Sequence, residues 1–311
     1  MTDNSSYHKG ELAVQRRANK ANEAEKISNA ISDSIPDGAM RFIEQQSMVV
    51  VGSIDARGQV WASILFGQPG FLHTINAQML ELDLVHAGVS AGDPLWTNLE
   101  TNTNTGFIVI DLNTRRRLRV NGRIRNTTPE RYILDVHQAY SNCPRYIQRR
   151  NLRIAAMHIG KHAWPVRRGT RLTANHKKLI AASDTLFVAS AHPDHGVDVS
   201  HRGGNPGFLQ VLNDTLIRIP DYPGNNMFNT LGNFYSYSYA GLLFIDFQHN
   251  LILQLTGKTE IMWNTEDADG ETGGTQRHWQ FEILSWQESE IPFNIDWEFL
   301  ELSRFNPRPS P

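Results

Sequence analysis

The chain carries one cysteine, Cys143, in 311 residues, which excludes an internal disulfide framework and any cysteine-based zinc cluster. Long hydrophobic runs are missing too. The longest, such as residues 239–245, fall far short of the roughly 20 apolar residues that a membrane-spanning helix requires. The first thirty residues are polar and charged and lack the apolar core of a secretory signal. Neither sign of charge dominates: 30 Lys and Arg stand against 32 Asp and Glu, a formal net charge of -2. No global electrostatic drive toward nucleic acid results. A Gly-x-Gly-x-x-Gly after a strand, the dinucleotide fingerprint, is absent as well. What is left is ordinary globular composition, 40% hydrophobic and 20% charged, long enough for two domains. A soluble, cytoplasmic protein without nucleic-acid or membrane partners is expected.

The most informative feature present is an internal repeat. "MVVVGS" (48–53) aligns with "TLFVAS" (185–190), and "GQPGF" (67–71) with "GNPGF" (204–208), both at a shift of 137. "GFIVID" (106–111) aligns with "GLLFID" (241–246), and "LRVNGR" (118–123) with "LQLTGK" (253–258), at a shift of 135. "GDPLWTNL" (92–99) falls on "GNNMFNTL" (224–231) at 132. Blocks in the same order with small loop offsets indicate a duplicated domain. Each copy consists of short β-branched and aromatic runs bounded by Gly, Asp and Asn, which argues antiparallel sheets or small barrels. The alternating run 277–286 puts Trp279, Phe281 and Ile283 on one side and predicts a closing strand. Helices are expected over 10–31, from Pro36 to Gln46, and over "TPERYILDVHQAYS" (128–141). Residues 142–177 are expected to be an irregular connection, and the tail 305–311 to fray.

Several motifs carry competing readings. "GVSAG" (88–92) matches a nucleophile elbow around Ser90, yet "DPLWTNLETNTNT" after it predicts a loop rather than the required helix. His192, His195, Asp198 and His201 stand at metal-like spacing, but the equivalent stretch of copy one, "DARGQV" (55–60), is a plain turn. Turn geometry explains both. Cys143 has no identified base and reads as packed. Arg115, Arg117 and Arg119 alternate along one strand face, either solvated or facing a single anionic ligand.

"SHRGGNPGF" (200–208) contains the shared Gly-x-Pro-Gly-Phe turn, where glycine supplies a positive φ and Phe returns to the core. Copy two adds His201, Arg202 and Gly203 where copy one has Ile64, Leu65 and Phe66. Its "PDYPGNNMFNTLGN" (220–233) also departs toward Gly and Asn, and Gly224-Asn225-Asn226 can present backbone N–H groups with neutral amide donors beside them. Both changes point to an anion-bearing ligand in copy two.

"YHKGELAVQ", "VWASILFGQPGF", "NCPRYIQ", "DVSHRGGNPGF", "PDYPGNNMFNTLGN" and "AGLLFIDF", spread from residue 7 to 263, resemble the tandem-repeat branch of the pyridoxamine 5'-phosphate oxidase-like flavin-binding family. The resemblance implies a mainly β fold: two tandem six-stranded antiparallel split β-barrels of Greek-key order with peripheral helices, forming a pseudo-dimer. It implies FMN in a cleft between barrels, and homodimers as the usual assembly. The implied division is a helical extension 1–38, a first barrel 39–127, a connection 128–177, a second, FMN-binding barrel 178–290 and a tail 291–311. Implied cofactor residues are Ser200, His201, Arg202, Gly203, Asn225, Asn226, Asn229, Thr230 and Gln254, with Trp61 and Ser63 from copy one; Trp61 or residues 233–239 would wall the ring. The apolar residues opposite Ser-His-Arg leave copy one without its own flavin site, and the substrate lysine and arginine of the vitamin-forming oxidases are not evident. The function expected is an FMN-dependent oxidoreductase passing hydride or electrons between NAD(P)H and another acceptor; the alternative is a flavin-binding carrier, sensor or docking module without turnover.

Overall fold

Runs of Val, Ile and Leu cut by Gly, Asn and Asp become strands in the computed structural model, which describes residues 6–157, 160–267, 270–291 and 293–307. The strands are β1 (Met48–Ile54), β2 (Val60–Gly67), β3 (Leu72–Asn76), β4 (Met79–Asp83), β5 (Ala87–Ser90), β6 (Asn104–Asp111), β7 (Arg116–Thr128) and β8 (Arg131–Ser141). There follow β9 (Arg149–Met157), β10 (Gly160–His162), β11 (Val166–Gly169), β12 (Thr185–His192), β13 (Gly196–Gly203), β14 (Gln210–Val211) and β15 (Leu216–Pro220). The last are β16 (Tyr239–Asp246), β17 (Leu251–Trp263), β18 (Arg277–Glu290) and β19 (Phe293–Glu301).

One sheet runs β10-β5-β2-β1-β6-β7-β8-β4-β3. The other runs β13-β12-β16-β17-β18-β15-β14, with β11 on β18; β9 and β19 form a separate ribbon. Without β5 and β10, the first sheet has the same order as the second: β2-β1-β6-β7-β8-β4-β3 against β13-β12-β16-β17-β18-β15-β14. Matched sequence blocks fall on matched strands. The common order holds seven strands rather than six.

Each sheet encloses a core of its own and shares a third. Val49, Val51, Phe107 and Val109 point into the first core, and Leu186, Val188, Leu242 and Phe244 into the second. The alternate residues, Val50, Ile64 and Ile108 on one side and Phe187, Ala189, Val199 and Leu243 on the other, pack against each other. This is the two-residue period of a strand buried on both faces. Two equivalent glycines allow the close approach. A Cβ on Gly106 would meet the Val197 carbonyl and the Asp198 Cα, and one on Gly241 would meet the backbone of Trp61. Trp279, Phe281 and Ile283 are buried on β18 as the alternation predicts.

The helices are α1 (Lys9–Arg17), α2 (Ala21–Glu25), α3 (Asp37–Glu44), α4 (Pro94–Thr101), α5 (Ala174–Ala182) and α6 (Asn229–Ser236). The helix expected over 10–31 is broken into α1 and α2, with Asn19 at φ 53° between them, and the one expected after Pro36 is α3. The expected helix over 128–141 is wrong: this stretch is β8, with Leu134 and Val136 buried between the less buried Ile133, Asp135 and His137. Pairing with both β7 and β4 overrides its helix-forming composition. The loop expected after Ser90 is also wrong. Asp93 accepts from Leu95 N and Pro94 occupies the first turn, so α4 starts there. An elbow does not result, since α4 begins four positions beyond Ser90 and the Ser90 hydroxyl is buried without a partner among the described residues. The connection 142–177 contains strands β9, β10 and β11 and the start of α5. The tail is not frayed where it is described: Asn306 is buried and bonded to Gln148 and Asn205. Residues 308–311 lie outside the described residues.

Candidate anion-binding cleft

The two Gly-x-Pro-Gly-Phe turns take the same conformation, with Gly70 at φ 97° and Gly207 at φ 92°. Phe71 N bonds to Gln68 O at 2.9 Å and Phe208 N to Asn205 O at 3.0 Å. Only the second turn borders a cleft lined with cations. That cleft holds about 90 Å³ of solvent space. Its floor is the end of β13, His201, Arg202 and Gly203, and Arg117 and Arg119 come from β7 of the other sheet. Asn142, Cys143, Arg145 and Tyr146 close one side; the 220–231 segment, with Asn225, Asn226, Asn229 and Thr230, closes the other. Tyr146, Tyr222, Phe208 and Phe228 supply aromatic walls.

This lining has an excess of positive charge and of unused donors. Its carboxylate, Asp221, is already engaged, accepting from Arg202 Nη1 at 3.0 Å and from Arg277 Nε at 3.1 Å. Arg119 pairs with Asp198 at 2.6 Å. Arg117 has no carboxylate partner among the described residues; it donates to the carbonyls of Cys143 (2.6 Å) and His201 (3.2 Å). Burial, with Arg119 and Arg202 nearby, pushes Arg117 down to about 9. Arg117 Nη1 also lies 3.2 Å from His201 Nδ1. Because a guanidinium only donates, Nδ1 is an acceptor and the ring proton sits on Nε2. Burial and the guanidiniums of Arg117, Arg202 and Arg150 keep His201 neutral.

Five of the lining side chains then have buried polar atoms without a hydrogen-bond partner among the described residues: Arg117 Nε, Arg119 Nε, Arg202 Nε, His201 Nε2 and both amide atoms of Asn142. Buried donors left unpaired are costly. Clustered on residues that line one cationic cleft, such donors have the chemistry to receive an oxyanion. The space, about 90 Å³, is of the size of a phosphoryl group.

Of the residues expected at the site, His201, Arg202, Gly203, Asn225, Asn226, Asn229 and Thr230 line this cleft. Ser200 lies one layer beneath, fully buried, accepting from Thr230 Oγ1 at 3.0 Å. Trp61, Ser63 and Gln254 are not brought to it. They cluster at a second, wider cleft lined by Trp61, Asp93, Arg168 and Trp286, where Gln254 Nε2 donates to Ser63 Oγ (3.1 Å) and Asp93 Oδ2 (3.2 Å). Residues 233–239 do not form the wall either: Phe234 lies in the second core, and Tyr237 donates to Gly58 O. Arg117 and Arg119, readable from sequence as a strand face that is solvated or meets a single anionic ligand, line the cleft because the second sheet covers them. Tyr146 and Tyr222 lie in the quoted stretches "NCPRYIQ" and "PDYPGNNMFNTLGN" but are not among the expected site residues. The metal-like histidines separate: Asp198 pairs with Arg119 and His201 joins the cleft, while the rings of His192 and His195 lie 4.7 Å apart at a hairpin.

The second cleft is not a copy of the first. By the repeat shifts, Ile252 and Gln254 replace Arg117 and Arg119, Leu65 replaces Arg202, and Asp93 replaces Asn225. Burial pushes Asp93 up to about 6 despite hydrogen bonds from Ser63, Leu95 N and Gln254. The equivalents of its cations are gone and a carboxyl has been added.

Beneath the first cleft, α1 is tied to α6. His8 caps α1, and Glu11 returns the bond to His8 N at 2.8 Å. The second Glu11 oxygen accepts from Asn229 Nδ2 at 2.5 Å. Burial outweighs these bonds and pushes Glu11 up to about 7. A carboxyl raised from its ordinary 4.5 retains its proton longer in the folded state. It therefore costs stability as pH rises from 4.5 through about 7, and no more above that. Glu11→Gln should accordingly gain stability over wild type across this window, by roughly 3 kcal/mol. Urea unfolding of both proteins at pH 5 and pH 8 measures the difference; an unchanged difference would contradict the assignment.

No family model and no curated protein matches the chain. Solved structures align with parts of it. A pyridoxamine 5'-phosphate oxidase-related, FMN binding protein from Nostoc punctiforme is 9% identical at a TM-score of 0.28, covering 39% of this chain and 83% of that one. A Clostridium acetobutylicum protein of the pyridoxinephosphate oxidase family, related to general stress protein 26, is 12% identical at a TM-score of 0.28, covering 39% and 90%. HupZ of Group A Streptococcus is 15% identical at a TM-score of 0.29, covering 36% and 89%.

Proposed function

We propose that the chain is an FMN-binding oxidoreductase that holds one FMN in the cationic cleft and takes hydride or electrons from NAD(P)H. The observation that carries the reading is the cluster of unpaired buried donors on Arg117, Arg119, Arg202, His201 and Asn142, set beside aromatic walls. An anionic group joined to a flat ring system fits both.

In this reading Arg117 and Arg202 neutralise the phosphate, His201 Nε2–H and the amides of Asn225 and Asn226 add neutral donors, and Asn229 and Thr230 bond the hydroxylated chain. Tyr146, Tyr222, Phe208 and Phe228 cover apolar surface and exclude water. The flavin itself supplies the redox chemistry, so the protein contributes binding, orientation and charge. The two sheets are read as duplicated split barrels, because they share one strand order and one set of sequence blocks. Both contribute to the cleft within one chain, so a homodimer is not required to complete it. Among the described residues no helix is long and apolar enough to cross a membrane.

Absorbance of the FMN-loaded protein under anaerobic NADH or NADPH tests the activity. Bleaching of the flavin band is expected. A yellow protein that neither nucleotide bleaches would instead be a carrier or docking module.

A further inference from the structure

We propose that the cleft behind the Phe208–Tyr222 wall is a second small-molecule site, built for an organic ammonium ion with an apolar body. This cleft, of about 390 Å³, shares Phe208, Pro220 and Tyr222 with the cationic one but has different polar groups. His278, on β18, is 2% exposed and lines it. Its Nδ1 lies 2.8 Å from Thr265 Oγ1, while its Nε2 has no hydrogen-bond partner among the described residues. Glu271 Oε2 stands 3.8 Å from that Nε2, too far for a direct hydrogen bond. The carboxylate is held in place from behind. Gln210 Nε2 donates to both its oxygens at 3.0 and 3.1 Å, and Gln210 Oε1 accepts from Arg218 Nε at 2.7 Å.

With the ring proton on Nδ1, donated to Thr265 Oγ1, His278 Nε2 and Glu271 Oε2 are two acceptors 3.8 Å apart, and one nitrogen can reach both at an ordinary hydrogen-bond distance of about 2.8 Å from each. An ammonium nitrogen has the donors and the charge to do so. Burial, with Arg218 nearby, pushes His278 down toward the neutral, lone-pair form, against the carboxylates of Glu271, Asp267 and Asp221. Asp221 is already paired with Arg202 and Arg277. Glu271 thus remains as the charge a ligand would meet. Phe208, Tyr222 and the prolines Pro206 and Pro220 form walls for an alkyl or ring body and offer aromatic faces to a cation. An anion is repelled here and attracted next door, so the two clefts sort ligands by sign.

The site stands without any flavin, and its test uses the full chain with no cofactor added. Pentylamine, pentanol and pentanoate, matched in length, are titrated at pH 7 into protein labelled in histidine, with the His278 imidazole followed by NMR. Pentylamine is expected to shift His278 saturably with a dissociation constant at least tenfold below that of pentanol, and pentanoate to leave it unmoved. Glu271→Gln should raise the pentylamine constant about tenfold or more, the usual loss of a hydrogen bond to a charged group. An unchanged unfolding midpoint shows that the half-exposed substitution left the fold intact. Equal binding of the three probes, a silent His278 resonance, or an unchanged constant in Glu271→Gln would overturn the proposal.

Discussion

Arg202→Ala is expected to weaken FMN binding about tenfold or more and to leave riboflavin binding almost unchanged. Arg202 lines the cleft with Nη1 fixed by Asp221, while its buried Nε has no hydrogen-bond partner among the described residues. The side chain is thereby oriented, with donor capacity still free. Losing a hydrogen bond to a charged group costs about 1.5–3 kcal/mol, which sets the size of the effect on FMN. Riboflavin lacks the phosphate and so lacks the partner. Equal weakening of both ligands would move Arg202 from the phosphate to the ring; no change in either would make it a solvated hairpin residue. Fluorescence titration of both ligands against wild type and variant separates the outcomes.

The largest expected loss of stability belongs to Asp198→Ala. Asp198 lies on β13 and is 5% exposed. It accepts from Arg119 Nη1 at 2.6 Å, Asn121 Nδ2 at 3.1 Å and Tyr140 Oη at 2.8 Å, all on β7 and β8 of the other sheet. One carboxylate thus clamps the two sheets beneath the cleft. Its removal leaves the Arg119 guanidinium buried and uncompensated, a change that costs about 3–5 kcal/mol. Adding Arg119→Met removes the stranded charge and should recover part of the loss, so the double variant is more stable than Asp198→Ala. Urea unfolding measures each. A loss under about 1 kcal/mol for the single variant would show that the pair is solvated and the clamp weak.

Much of the strand order was legible because similar sequence blocks occur twice in the same order. β1 and β12, or β6 and β16, carry long apolar runs buried on both faces, and the shared shift of their sequences matches their shared place in the two strand orders. The failures have local causes. Thr128, Pro129 and Glu130 resemble a helix start, and the two-sided pairing of β8 that overrules it is non-local. At α4 the cap was in plain view, since Asp93 and Pro94 are good start residues, but the Asn- and Thr-rich stretch after them outweighed it. In the cleft, Arg202 and Asn225 could be found by asking where copy two departs from copy one. Arg117 and Arg119 could not be placed, because alternation gives the face of a strand and not what covers it. Gln254, Ser63 and Trp61 fall at the second cleft for the same reason: the sheet packing, unseen in sequence, decides which side of the molecule each copy serves.

One cleft, and not its counterpart, is proposed to bind an anionic flavin. Titration of the purified chain with FMN, followed by flavin fluorescence to saturation, tests it most directly. One FMN per chain is expected, since by the repeat shifts Ile252, Leu65 and Asp93 hold the positions of Arg117, Arg202 and Asn225, and Leu65 and Ile252 are buried in apolar cores. Two equal sites per chain, or no saturable binding at all, would contradict the account.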